Sequence, residues 1–90
     1  MFNRTIKYVK PNLNGYNVVP VTFKYSGGPY IDVFFGSHKS VALSVINVWD
    51  RKEGKSRVET REDFNKAVME FWHNEQEEVR RCVAELAYYL

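Results

Sequence analysis

The sequence predicts a single α+β domain: an antiparallel sheet of about four strands, followed by C-terminal helix (one kinked or two) packed on one sheet face. Three observations predict it. Residues 2–58 fall into runs of period-two alternation separated by turn residues. From residue 60 the apolar spacing switches to that of a helix. Ninety residues is one domain's length of chain, and strands followed by helix is the α+β order.

Residues 2–9 alternate Phe2, Arg4, Ile6, Tyr8 against Asn3, Thr5, Lys7, Val9, a pattern expected at a sheet edge. Lys10 to Gly15 is loop chemistry, with Pro11 to stop pairing and Asn14-Gly15 for positive φ. Strand resumes over 16–25, with Val19, Val21, Phe23 and Tyr25 on one face. Pro20 inside this run marks an edge strand or a bulge. Ser26-Gly27-Gly28-Pro29 is a hairpin turn. Tyr30–Phe35 places Ile31, Val33 and Phe35 on one face and Tyr30, Asp32 and Phe34 on the other. A second loop, Gly36–Ser40, carries His38. Val41–Trp49 is apolar on both faces and is expected to be the most buried strand. Asp50–Lys55 is a polar turn, and Ser56–Val58 a short extension.

Thr60 stands where a helix cap is needed, with Glu62 and Asp63 in the first turn against the positive end of the dipole. The stripe Phe64, Ala67, Val68, Phe71, Trp72 follows. A second stripe, Val79, Cys82, Val83, Leu86 with Tyr89 or Leu90, comes after a second start at Asn74. Glu75 would put a charge in a continuous stripe, which favours a break near His73–Asn74.

Charge divides with structure type. Residues 1–58 carry nine Lys/Arg against three acids, net +6; residues 59–90 carry four against eight, net −4. A basic sheet layer and an acidic helical layer are the expectation, each choosing a different partner. The outer sheet face would bear Arg4, Lys24, Tyr30 or Asp32. Sixteen per cent of residues are aromatic, high for so short a chain, which suits interface anchors as well as a thin core.

The one cysteine, Cys82, cannot make an internal disulfide. It lies on an apolar helical stripe, where thiols are usually inert. This cysteine usage and the lack of a signal-like N-terminus suggest a soluble, cytoplasmic protein with no membrane segment. No catalytic motif is present. Asp32 with Glu53-Gly54-Lys55 has the residue types of a metal-dependent nuclease, but a glycine-punctuated turn is a poor scaffold for fixing a cation. One cysteine and two distant histidines make no zinc ligand set. No metal and no cofactor is expected.

These readings favour a non-catalytic, small intracellular protein-interaction module, with a homodimer left open by its edge strand and two-signed charge. It has the character of an accessory or inhibitor protein of phage or mobile-element type, a viral protein acting on a nucleic-acid-handling complex. The candidate binding residues are Tyr30, Phe34, Arg51, Lys52, Lys55, Arg57 and Trp72. The alternative is direct nucleic-acid binding by a basic aromatic sheet face, with the Arg51, Lys52, Lys55, Arg57 cluster on the phosphates.

Overall fold

The computed structural model describes residues 1–37 and 41–86. The expectations for His38, Lys39, Tyr89 and Leu90 lie outside the described residues. Four strands form one antiparallel sheet in sequence order: β1 (Phe2–Asn12), β2 (Gly15–Tyr25), β3 (Tyr30–Phe35) and β4 (Ser44–Asn47). A two-stranded ribbon, β5 (Trp49–Asp50) with β6 (Lys55–Ser56), follows. Two helices, α1 (Arg61–Asn74) and α2 (Gln76–Glu85), complete the chain. The α+β architecture is the one the alternation and helical spacing predict.

The inner sheet face is built by the odd residues of β2 and β3. Val21, Phe23, Ile31, Val33 and Phe35 are fully buried, with Phe64 and Val68 of α1 and Val79 and Cys82 of α2 closing over them. Helix α1 lies along β1 and β2. Phe64 meets the Phe2 ring at 5.6 Å, Phe71 meets Phe23 edge-on at 6.0 Å, and Trp72 meets Tyr8 edge-on at 6.3 Å. Helix α2 covers the same face towards the β4 edge, where the Cys82 thiol approaches the Leu43 carbonyl and Ser44 donates to Glu78.

The two helices are separated by one residue, Glu75 (φ −110°, ψ 43°). The Gln76 side-chain amide donates to the Trp72 carbonyl, the acceptor that its own backbone N–H would take in an uninterrupted helix. Asn74 is the last residue of α1 and does not cap α2; no side chain does. The α1 start is a reciprocal cap. Thr60 Oγ1 accepts from the Asp63 N–H, and the Asp63 carboxylate accepts from the N–H groups of Thr60 and Glu59.

Three strand expectations need correction. The loop placed over Lys10–Gly15 is shorter: β1 runs through Pro11 to Asn12, and Leu13-Asn14 alone turn the chain. Pro11 is tolerated because β1 is a sheet edge and Pro11 falls at a pair where β2 does not need its N–H. Strand β2 is interior, not an edge. Pro20 instead sits where β3 leaves it: Gly36 N–H donates to the Pro20 carbonyl at 2.8 Å, and Pro20 has no N–H to return. Third, Val41–Trp49 is not the most buried strand. Only Ser44–Asn47 joins the sheet, at its outer edge, and Val45 is 51% exposed because nothing covers the outer face.

Arg4 is also misplaced in the sequence reading. It shares the helix-side face with Phe2 and Ile6, and its guanidinium points to Asn65 of α1 at 3.5 Å.

Gly36 leaves the body at φ +77°, and a Cβ there would lie 2.8 Å from Leu86 Cδ2. Gly36→Ala is therefore expected to cost about 1–3 kcal/mol through backbone strain and overpacking, read by urea unfolding. Thr60→Ala should cost about 1 kcal/mol in the same assay. The backbone N–H of Glu59, then that of Thr60, hold the Asp63 carboxyl below its usual value of 3.8. Its contribution is thus complete above the unfolded value and is lost as pH falls through the lower folded one. Stability of wild type should drop on acidification below about pH 4, and Asp63→Asn should flatten that limb in urea titrations run from pH 2 to 7.

Candidate interaction surface

Strand alternation and register decide what lies on the face the helices leave open. Across β1, β2, β3 and β4 the rows run Asn3–Lys24–Asp32–Val45, then Thr5–Thr22–Phe34, with Tyr30 and Asn47 paired at one end. Towards the other end only β1 and β2 continue, with Lys7–Pro20, Val9–Val18 and Pro11–Tyr16 opposite each other. β3 pairs with β2 only over Val21–Lys24, and past the Tyr8–Val19 pair, which Trp72 still braces, the ribbon has neither a third strand nor a helix behind it among the described residues. Every residue from Val9 to Val18 is exposed. The molecule measures 49 × 23 × 19 Å, elongated rather than round.

The outer face is more apolar than charged. Tyr30 (48% exposed), Val45, Val9, Val18 and Tyr16 (68%) stand open to solvent on it, with half-buried Phe34 between body and arm. Its described charges are Lys7, Lys24 and Asp32. Lys24 sits directly opposite Asp32 in the register and lies 5.5 Å over the Phe34 ring. Thr5 and Thr22 satisfy each other at 3.1 Å.

The sequence-predicted residues do not converge. Tyr30 and Phe34 are on the open face, two pairs apart with Asp32 between them. Arg51 and Lys52 project from the β5–β6 turn, which Asp50 organises by accepting from the N–H groups of Lys52 and Glu53. Lys55 pairs with Glu59 at 2.8 Å. Arg57 donates to the Asn47 carbonyl at 2.8 Å. Trp72 is half-buried in the helical layer, on the other side of the sheet, where it braces Tyr8 at the root of the arm.

Bases and acids also meet locally among the described residues. Arg4 turns to the helices, and the four bases near the small ribbon are interleaved with Asp50, Glu53 and Glu59. On α2, Glu78 and Glu85 share Arg81, and Glu77 pairs with Arg80. The exposed apolar residues that sequence reasoning did not single out are Val9, Leu13, Val18 and Trp49. A signal was present for the arm: Tyr16, Val18 and Pro20 are apolar at the same alternation as Lys24, opposite to the core positions.

On the helix side, a groove of about 380 Å³ lies between β4 and the α1–α2 junction, lined by Ser44, Ile46, Phe71, Glu70, Glu75 and Arg57 among others. Beside it, Cys82 is fully buried. Burial first, then the nearby Glu78 charge, push its thiol up to about 11, so at neutral pH the sulfur is protonated. The Arg81 guanidinium holds the Glu78 carboxyl below its usual range. Among the described residues no group of three or more His, Cys, Asp or Glu is placed to hold a metal ion. No helix among them is long and apolar enough to cross a membrane.

Comparison with protein-family models, with curated proteins and with solved structures found no match. The surface itself therefore carries the functional argument.

A packed, protonated thiol sets a measurable expectation. A chromogenic disulfide reagent at pH 7.5 should label native Cys82 at least a hundredfold more slowly than the urea-unfolded chain, where the thiol returns to an ordinary value. Equal rates would show the sulfur to be open.

Proposed function

We propose that this protein is a non-catalytic protein-interaction module whose contact surface is the open face of its sheet. The observation that supports the reading is the line of exposed apolar side chains on that face, Tyr30, Phe34 and Val45 on the body and Val9, Val18 and Tyr16 on the arm. Exposed apolar groups in this number are costly to leave in water, and soluble monomers seldom keep large patches of them without a use. Aromatic residues of this kind anchor interfaces, since they bring area with little rotamer entropy to lose.

The partner we propose is another protein or a protein–nucleic-acid complex, met inside the cell. Charge supports steering more than anchoring in this picture. Arg51 and Lys52, at the turn of the small ribbon, stand at the end of the body away from the arm, where rim charges raise association rates.

The test replaces body-face residues that carry no fold load. Tyr30→Asp with Val45→Asp should leave the circular dichroism spectrum and melting point within a few degrees of wild type, because both side chains are about half exposed. Quantitative affinity capture from host lysate should then lose its wild-type partner at least tenfold. Arg51→Glu with Lys52→Glu should slow association and alter its salt dependence, while changing dissociation much less. Identical partner recovery by wild type and the Tyr30/Val45 variant would overturn the reading.

A further inference from the structure

The arm has a distinct physical problem. From Val9 to Val18 two strands stand alone, and an isolated two-stranded ribbon is only marginally stable in water. One side of it is polar, with Lys10 opposite Asn17. The other is apolar, with Val9 opposite Val18, Pro11 opposite Tyr16, Pro20 at the root and Leu13 at the tip. An apolar side on an element without a core asks for a cover that arrives from outside.

Area says how large that cover is. The chain exposes 6250 Å², whereas a folded monomer of 10.6 kDa exposes about 5,500 Å². The excess over the whole elongated chain, about 750 Å², is close to the roughly 800 Å² that one partner contributes to a standard protein–protein interface. The radius of gyration tells the same story, at 13.9 Å against about 12 Å for a compact chain of this length.

Charge says what the cover is. The apolar side of the arm carries one charge, Lys7, at its root, while the tip residues Asn12, Leu13, Asn14 and Gly15 carry none. Two arms laid antiparallel across a two-fold axis would each set Lys7 against the other's uncharged tip, so no like charges are opposed. The net charge of the chain is only +2, which adds little self-repulsion. A surface with no strong sign does not select a charged partner, and it is self-complementary in the way an isologous contact needs.

We infer that the partner of the arm is a second copy of this chain: two hairpin arms pack apolar side to apolar side, forming a reversible homodimer that leaves the body's open face free. This rests on the reading of the protein as an interaction module and names one of its contacts.

The test is sedimentation equilibrium of the purified full chain from 1 μM to 1 mM in physiological salt. A monomer–dimer equilibrium is expected, and Tyr16→Asp with Val18→Asp should raise its dissociation constant at least tenfold. Because both residues are exposed, the variant should keep the wild-type circular dichroism spectrum. Tyr30→Asp with Val45→Asp on the body should leave the dimer intact. A chain that stays monomeric at 1 mM, or that dimerises equally well with the arm substitutions, overturns the inference. So does assembly beyond the dimer, which a closed two-fold contact forbids. The lysate capture with the Tyr30/Val45 variant reads the body face separately, so failure of the dimer and failure of the interaction-module reading give different results.

Discussion

The pairing of Pro20 with Gly36 is where this molecule divides. Up to that point β2 is bonded on both sides, by β1 and by β3, and the rows of side chains beneath it are sealed by two helices. At that point β2 presents a proline, which cannot donate, and β3 turns away through a glycine at φ +77° pressed against Leu86. Past the Tyr8–Val19 pair, which Trp72 still braces, two strands run on alone. A buried, well-knit body and an unsupported ribbon are thus made by a single missing N–H and a single left-handed residue.

The same division organises the surface. In the body, α1 and α2 need the kink at Glu75 to reach both halves of the sheet, α1 through Phe64, Phe71 and Trp72 and α2 through Val79 and Cys82. All of that helical cover is spent on one face. The face left behind is neither strongly basic nor polar, since Lys24 stands opposite Asp32 and the remaining prominent side chains are Tyr30, Phe34 and Val45. Cys82 is one more inner side chain that packs, its sulfur buried and protonated at neutral pH.

Much of the body was legible from residue order. The alternation of Ile31, Val33 and Phe35 against Tyr30, Asp32 and Phe34 assigned both faces of β3 correctly, and Thr60 with Asp63 marked the start of α1 to the residue. The charge of Glu75 in the stripe located the kink to within a residue. What was not legible depended on strand order. Pro20 could not be told from an edge or bulge proline until β3 was seen to end there. Val45 could not be known to be exposed until β4 was seen to be an edge. Counting charges along the chain likewise could not show local pairing: Arg4 and Lys7 lie on opposite faces of one strand, and Arg81 on α2 gathers two glutamates. Of the candidate contact residues, Tyr30 and Phe34 share the open face, while Trp72 belongs to the helical side. The apolar arm was written in Tyr16, Val18 and Pro20, but only register revealed that nothing lies over them.

Amide hydrogen exchange followed residue by residue, as a function of protein concentration, tests this account most directly. Body amides of β2 and β3 around Phe23 and Val33 should be strongly protected and indifferent to concentration. Arm amides from Val9 to Val18 should exchange quickly at low micromolar concentration and gain protection as concentration rises and the ribbon is covered. Arm amides protected as strongly as the body in the dilute monomer would contradict it, because the ribbon would then be stable without a partner.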